Sequence, residues 1–391
     1  MADLHDEPHA LPEVGELDDA AQPSPSGPHP SLTAEEAAEA LRVVQAAQEP
    51  ESTPLERARA LLAAHPVADG YSGLPTALRH LPWYDLRLGD SAVGTDVPRL
   101  RQGDVGALLW SLHLPDGLAA GGRAIAGTLE QVDLVWSVIA AHPEALRLAR
   151  SAGQIIDARH CGRVAVVLGP AEAAALDDSL GVLRVLHSLG LRVLTLAGTS
   201  WAGEAGLTRF GEEVVREMNR LGVLADLSGA SDRTVGRVLG LSRTPVLFTR
   251  SAARALRPHP ANLSDETLAG LGAARGLCLV PLTAEQTGPG LRDVADHLDH
   301  VRAIAGPACV GLSGTYDSGA AHPQGLADAS GYPHLIAELL RRGWPETDIA
   351  LLTWGNVQRA LRTADFTARA AQERREPSTA RIAELDGRAA G

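Results

Sequence analysis

The chain has 391 residues, 45% of them hydrophobic, which is enough for one large barrel or two smaller domains around a sizeable core. Its formal net charge is -13 at pH 7, and its basic side chains are dispersed arginines without a single lysine. This balance provides no basic stripe for nucleic acid, and it argues against anionic membranes as partners.

The N-terminal segment is rich in proline, alanine and acidic residues, which predicts a flexible arm over residues 1–52. It has no apolar stretch of the signal-peptide type, and we find no run of the ~20 apolar residues that a membrane span requires. Cys161, Cys278 and Cys309 form neither a paired metal motif nor a disulfide framework. Together these features predict a cytoplasmic protein.

After the arm, short apolar runs alternate with amphipathic segments. Near-continuous apolar runs are typical of strands that are buried on both faces. They lie at residues 66–69, 105–113, 164–169, 193–198, 223–229, 246–250, 276–282 and 309–314. The segments with helical periodicity lie at residues 128–148, 179–189, 211–221, 232–241, 264–271, 291–305 and 334–342. A capping box at Thr128 and Gln131 predicts the start of the first of these helices.

Eight strands that alternate with helices predict an α/β fold, specifically a (β/α)8 TIM-type barrel over residues 53–363. An open sheet of six or seven strands is the alternative. Residues 364–391 contain strong helix formers with little to bury, so we expect a loosely docked C-terminal helical tail.

In such a barrel the catalytic groups lie at the carboxyl ends of the strands. Only His113, after the second strand, places a histidine at a predicted strand end, and we interpret it as a wall residue. A hydrolytic zinc site needs three or four convergent His, Asp, Glu or Cys ligands, and the strand ends offer no such set. His297 and His300 lie three apart on a predicted helix, which indicates a solvated helix face.

Nine segments nevertheless form a recognisable series in chain order. They read DGYSGLPTALR, TDVPRLRQGDVGALLWS, TLEQVDLV, DSLGVLRVLHSLGLRVLTL, GLTRFGEEVVREMNRLGVLADLS, LSRTPVLF, NLSDETL, VADHLDHVRAIAG and YPHLIAELLRRGW. From about Leu55 to Leu361 the chain resembles the renal, or membrane, dipeptidase family. The resemblance implies a (β/α)8 barrel that holds two zinc ions and cleaves dipeptides and related amides.

The resemblance places the family's metal ligands on residues that are poor substitutes for them. The His-x-Asp pair after the first strand falls on Tyr71 and Gly73, and the bridging Glu after the third falls on Ala171. The zinc-binding His after the fifth and sixth strands fall on Gly229 and Arg250. Glycine and alanine offer no donor, tyrosine is a poor zinc ligand, and the permanently charged guanidinium repels a divalent cation.

The family's catalytic positions are changed as well. The strand-four His that assists at the substrate carbonyl falls on Gly198, and the Arg that receives the substrate carboxylate falls on Ala261. The strand-eight Asp that handles the proton falls on Thr315. Glu172 lies one place beyond the bridging position, so a shifted register would bring a carboxylate there. We therefore predict no cofactor and no dipeptide hydrolysis, since no residue set is left to generate a metal-bound hydroxide.

Polar groups remain at the strand ends as candidate pocket residues. They are Asp69, Tyr71, Glu172, Asp226, Arg250 and Asp317. We expect Asp69 and Asp226 to accept hydrogen bonds from loop N–H groups, and Arg250 to pair with one of the carboxylates.

Three functions stay open at this point. The first is a catalytically degenerate binding or regulatory subunit, either as a homodimer or as a heterodimer with an active dipeptidase paralogue. The second is a binder of a small anionic or peptide-like ligand at Arg250. The third is a metallodipeptidase or amidohydrolase with a rebuilt site that uses Glu172 and the aspartates.

Overall fold

The structure is a computed structural model that describes residues 52–90, 92–114 and 122–387, together with Thr33, Glu35, Ala38 and Glu39. The chain divides into the units Met1–Glu51 and Ser52–Gly391. The arm predicted over residues 1–52 lies almost entirely outside the described residues. The second unit contains the barrel.

The strands form one large parallel sheet and one short antiparallel hairpin. They are β1 (Val67–Ser72), β2 (Val105–Trp110), β3 (Leu146–Leu148), β4 (Val164–Leu168), β5 (Ala171–Glu172), β6 (Val193–Thr195), β7 (Ala202–Gly203), β8 (Gly206–Leu207), β9 (Leu224–Asp226), β10 (Leu247–Phe248), β11 (Leu277–Pro281) and β12 (Val310–Ser313). The order in the large sheet is β3-β4-β2-β1-β12-β11-β10-β9-β6-β5, and β7 pairs with β8.

The strands β4 and β5 form one bent strand, which closes the barrel. Only Gly169 and Pro170 separate β4, which pairs with β2, from β5, which pairs with β6. The Arg192 N–H donates to the Leu168 carbonyl at 2.9 Å and bridges the bend. Gly169 has φ +126, and a Cβ there would lie 2.7 Å from the Val193 carbonyl oxygen. The predicted (β/α)8 barrel is therefore confirmed, and the open-sheet alternative is wrong.

The helices lie between the strands in the order that the sequence predicts. They are α1 (Pro54–Ala64), α2 (Leu74–Leu78), α3 (Val97–Gln102), α4 (Ala124–Ala141), α5 (Ala152–His160), α6 (Leu180–Leu189), α7 (Arg209–Leu221), α8 (Asp232–Leu241), α9 (Asp265–Ala273), α10 (Leu291–Ala305), α11 (Tyr332–Arg341), α12 (Glu346–Ala350), α13 (Asn356–Gln372) and α14 (Ile382–Asp386). Ser179, Ser231 and Ser264 each accept a backbone N–H at a helix start, which explains where α6, α8 and α9 begin.

The prediction of one helix over residues 128–148 is wrong at both ends. Thr128 lies inside α4, where its hydroxyl donates to the Ala124 carbonyl at 2.8 Å, so it is not a cap. The helix ends at Ala141 because residue 142 precedes Pro143, and a residue before proline disfavours helical angles. Residues 146–148, which were predicted as helix, form β3, an edge strand that pairs with β4 outside the barrel.

The C-terminal residues are packed on the barrel. Helix α13 continues across the predicted boundary at 364, and its Val357 and Leu361 join a buried cluster with Leu109, Val193 and Leu224 of three strands. Further on, the Asp386 carboxylate accepts hydrogen bonds from the Thr208 hydroxyl and the Phe210 N–H at the start of α7. The side chains after residue 364 thus contribute to the core and cap a barrel helix.

Candidate functional site

The carboxyl ends of β6, β9 and β10 surround a cavity of about 410 Å³, which we call the open half of the strand-end face. Its described lining residues are His113, Glu172, Ala174, Thr195, Ala197, Gly198, Ser228, Gly229 and Arg250. The structure thus brings the predicted positions Glu172, Gly198, Gly229 and Arg250 into one cavity.

Arg250 is the cation of the open half. Its Cζ lies 4.6 Å from the centre of the Tyr71 ring, which is cation–π geometry. The Nε is buried and has no hydrogen-bond partner among the described residues. The backbone is fixed, because the Arg250 N–H donates to Ser228 Oγ at 3.1 Å and Gln286 Nε2 donates to the Arg250 carbonyl at 3.0 Å.

The expected pairing of Arg250 with a carboxylate is wrong for the described residues, since the only contact recorded for its guanidinium there is the Tyr71 ring. A buried guanidinium nitrogen without a partner is costly. A guanidinium that lines a cavity without a carboxylate partner among the described residues is chemically suited to bind an anion.

Gly198 and Gly229 leave space beside this guanidinium. Both have positive φ, +74 and +76, and a Cβ at either position would meet no atom within 4 Å. Side chains at these positions would extend into open space. The volume of the cavity therefore depends on the absence of two side chains.

Asp226 is saturated by structural hydrogen bonds. Its Oδ1 accepts the Thr249 N–H at 2.9 Å, the Ser228 N–H at 3.2 Å and the Ser228 hydroxyl at 2.8 Å. Its Oδ2 accepts the Thr195 hydroxyl at 2.7 Å. The carboxylate is fully buried and holds the ends of β6, β9 and β10 in register, as a loop-bonding carboxylate should.

His113 is a member of the site that the sequence interpretation underestimated. Its Nε2 lies 3.2 Å from Thr195 Oγ1, and its ring centre lies 5.8 Å from that of Tyr71. Burial, together with the nearby charge of Arg250, lowers the pKa of His113 to about 3. The imidazole is therefore neutral at physiological pH. The signal was present in the sequence, since no other predicted strand end carries a histidine.

On the β12–β1 side, which we call the closed half, the family positions are filled or blocked. The Asp69 carboxylate accepts the Gly314 N–H at 2.6 Å, the Tyr71 N–H at 3.1 Å and the Tyr332 hydroxyl at 2.8 Å. Its burial raises the pKa of Asp69 to about 6. Like Asp226, it is tied to backbone groups, so its geometry is that of a structural residue.

The loop after β12 closes on Gly73. A Cβ at Gly73 would lie 2.5 Å from the Asp317 carbonyl oxygen, so this position has no room for a side chain. Thr315 is buried with φ +52, and its hydroxyl donates to the Gly314 carbonyl at 2.6 Å. The Asp317 carboxylate accepts the Gly94 N–H at 2.6 Å and the Thr95 hydroxyl. Asp317 therefore binds a neighbouring loop and lies outside the open cavity's described lining.

The two remaining positions do not contribute side chains to the cavity. Ala171 is fully buried in β5 and pairs with Leu194 of β6, whereas Glu172 beside it lines the cavity. Ala261 lies in the loop after β10, where its N–H donates to His259 Nδ1 at 3.2 Å. Ala261 is not among the described residues that line the open half, so the position predicted to receive a substrate carboxylate lies outside this lining.

His297 and His300, on helix α10, make different contacts and do not act as a pair. His297 is buried, its Nδ1 accepts the Ala253 N–H at 3.1 Å, and burial lowers its pKa to about 4. The solvated face predicted for this residue is therefore wrong. His300 instead contacts Asp265 at 2.7 Å. In the part of the chain that the structure describes, no group of three or more His, Cys, Asp or Glu is placed to hold a metal ion.

Comparison with known proteins gives consistent matches. Residues 55–375 match the family described as membrane dipeptidase (Peptidase family M19). Dipeptidase 3 of Rattus norvegicus is 39% identical over 333 residues, which cover 79% of this chain and 67% of that protein. Dipeptidase verJ of Clonostachys rogersoniana is 32% identical over 336 residues, covering 78% and 86%. A solved metallo peptidase from Rhodobacter sphaeroides, liganded with a phosphinate mimic of the dipeptide L-Ala-D-Ala, has a TM-score of 0.69 at 25% identity and covers 76% and 99%.

The closed parallel barrel with its cavity at the strand ends defines the class as a TIM-barrel protein. Within that class, the chain belongs to the membrane dipeptidase family, because the match extends over most of its length. The resemblance noted in the sequence is thereby confirmed.

Two predictions are corrected by this membership. The prediction of no cofactor is wrong at the level of the family, since the R. sphaeroides relative is a metallo peptidase and membership points to a metal. The residues of this chain do not fit that group: the described positions offer Tyr71, Gly73, Ala171, Gly229 and Arg250, and Gly73 has no room for a ligand. The metal that family membership indicates is therefore not matched by suitable ligands at these positions.

The prediction of a cytoplasmic protein is also contradicted, because the family is that of the membrane dipeptidases and Dipeptidase 3 is among the relatives. In the described chain one helix, α4, is long and apolar enough to cross a membrane by length and composition alone, contrary to our search of the sequence. About a third of its length is buried against the barrel, and a core helix passes the same test. This helix is weak evidence for a span.

Proposed function

We propose that this member of the membrane dipeptidase family binds a small anionic or peptide-like ligand in the open half and does not hydrolyse dipeptides. The proposal is carried by Arg250, whose guanidinium lines a cavity of about 410 Å³ and whose buried Nε has no described hydrogen-bond partner. Because Arg250 lines the cavity and pairs with no described carboxylate, a carboxylate of the ligand would accept from its guanidinium there.

The surroundings of Arg250 favour binding over chemistry. The open half contains one fixed cation, a neutral imidazole and the carboxylate of Glu172, together with an aspartate whose oxygens are already taken by four hydrogen bonds. General acid–base work needs a group that titrates near the working pH and reaches the substrate. Asp226 is fully buried beneath these bonds, and the low pKa of His113 leaves it a weak base.

The test is calorimetric titration of the purified protein with glycylglycine and with succinate. We expect saturable binding that Arg250→Met abolishes. Arg254→Met is the matched control, because its guanidinium donates to the Asn262 and Pro260 carbonyls outside the described cavity lining. Binding that survives Arg250→Met, or no binding of either probe, would contradict the proposal.

The second candidate is metal-dependent hydrolysis of dipeptides, which family membership favours. Glu172 is the described carboxylate that reaches the open cavity and would have to contribute. Elemental analysis of the purified protein, run beside an assay with L-Ala-D-Ala, separates the two candidates. Stoichiometric metal together with turnover that Glu172→Gln removes would establish the second and overturn the first.

The proposal includes a regulatory form in which the chain pairs with a second copy or with an active paralogue. Trp83 and Leu88, in the segment after α2, are 72% and 69% exposed, which supports an apolar contact surface there. Sedimentation of the protein alone and mixed with an active family member is the test. A monomer in both experiments would remove this part of the proposal.

A further inference from the structure

Three side chains in the open half form a hydrogen-bonded chain with a fixed direction. Thr195 Oγ1 lies 2.7 Å from Asp226 Oδ2 and 3.2 Å from His113 Nε2. A hydroxyl has one proton to donate, and the carboxylate is the stronger acceptor. Since the Thr195 proton goes to Asp226, Thr195 can only accept from His113. The Nε2 atom of His113 must therefore carry a hydrogen.

This assignment decides what His113 presents to the cavity. A neutral imidazole has one N–H, so a proton on Nε2 leaves Nδ1 as a bare acceptor. The ring lines the same cavity as Arg250, and no described residue donates to Nδ1. Burial and the charge of Arg250 keep the ring neutral, which is consistent with the geometry.

We infer that His113 is a specificity-determining residue that accepts a hydrogen bond from an amide N–H or hydroxyl of the ligand whose anionic group binds Arg250. The ligand class is then a small carboxylate that carries a neutral hydrogen-bond donor. The inference rests on the proposed function, because it assigns the remaining contact of the same site.

The first test compares N-acetylglycine with N-acetylsarcosine, which has the same charge and nearly the same size but lacks the amide N–H. We expect N-acetylglycine to bind about tenfold more tightly, because the N-methyl compound leaves Nδ1 without a donor. His113→Leu should remove the difference. His113→Asn, which keeps an acceptor near the position of Nδ1, should restore part of it.

The outcomes separate the inference from the proposed function. Equal affinities for the two probes in the unmodified protein, with binding that Arg250→Met abolishes, overturn only the role of His113. Binding that Arg250→Met leaves intact, or no binding of either probe, overturns both.

The second test reads the tautomer directly by ¹⁵N NMR of the histidine side chains. We expect the Nε2–H form for His113 and loss of that preference in Thr195→Val, which cannot accept the hydrogen bond. His322 is the internal control, because its Nδ1 lies 2.6 Å from the Leu282 carbonyl and must donate, which fixes the opposite tautomer. A predominant Nδ1–H form of His113 would overturn the inference, whatever the binding data show.

Discussion

The open and closed halves of the strand-end face both carry glycine at positions where the family resemblance predicts a functional side chain, and the surroundings of these glycines differ. At Gly73 in the closed half, a Cβ would lie 2.5 Å from the carbonyl oxygen of Asp317, which is too close for a side chain. At Gly198 and Gly229 in the open half, a Cβ would meet nothing within 4 Å. In the closed half a loop of the chain occupies the space beside the glycine, and in the open half that space is part of a cavity beside Arg250.

The difference shows that a glycine at a strand end leaves a cavity only where no neighbouring loop occupies the space beside it. The closed half has become part of the core, with Asp69 bonded to Gly314, Tyr71 and Tyr332. The open half contains a cavity, the positive charge of Arg250 and the imidazole of His113.

The largest effect is expected from the buried carboxylates, which should be structural in both halves. Asp226→Ala leaves the Thr249 and Ser228 N–H groups and the Thr195 hydroxyl without their acceptor, and we expect a loss of about 3 kcal/mol in unfolding free energy. Urea unfolding measures it, with Asp232→Ala on the exposed start of α8 as the control. A small loss at Asp226 would show that its carboxylate is available to a ligand.

The next effect compares glycines across the two halves. Gly73→Ala places a methyl group against the Asp317 backbone and should lower the unfolding free energy by about 2 kcal/mol. Gly229→Ala meets no atom and costs only the left-handed backbone, about 1 kcal/mol. Equal losses in the two variants would remove the distinction between a closed and an open half.

A smaller effect on stability is expected at Arg250. Replacing it by methionine removes a buried nitrogen without a partner but also the contact with the Tyr71 ring. The unfolding free energy should change by less than about 1 kcal/mol, because these contributions oppose each other. A loss of several kcal/mol would identify Arg250 as a structural residue and would weaken its assignment to a ligand.

The smallest effect is electrostatic and concerns His113. Arg250→Met should raise the pKa of His113, and the rise should be partial because burial is the larger cause. Asp317→Asn in the closed half should leave that pKa unchanged. Titration of the imidazole by NMR measures both variants, and a shift caused by Asp317→Asn would mean that the halves are electrically coupled.

The lowered pKa of His113 also makes the unfolding free energy depend on pH. The pKa of His113 is lower in the folded chain than its ordinary value of 6.5, so the unfolded chain binds more protons between pH 6.5 and about 3. The unfolding free energy therefore falls as the pH falls through this window, and His113→Asn should reduce the slope. An unchanged slope would show that the imidazole is accessible to solvent.

Parts of the site were readable from the sequence because they depend on residue type alone. The permanent charge of Arg250 and the lack of donors at Gly198 and Gly229 do not require coordinates. The role of His113 was not readable, because Thr195 and Asp226, which give it a direction, are 82 and 31 residues away from their partners. The prediction of a helix cap at Thr128 was wrong for a similar reason. A threonine at a helix start and one inside a helix can have the same neighbours in sequence, and only the structure shows that α4 begins before Thr128.

The sequence by itself determined the α/β class, because apolar runs between amphipathic helices are typical of parallel strands that are covered on both faces. It favoured a barrel over an open sheet, and the structure confirmed the closure through β4 and β5. It also determined the family, through collinear segments that fix packing around the strands. Only the tertiary structure decided which of the glycine positions at the strand ends are filled by a neighbouring loop and which are open. That outcome depends on whether a distant loop, such as the one after β12, reaches the vacated space, and hydrophobic pattern carries no information about such contacts.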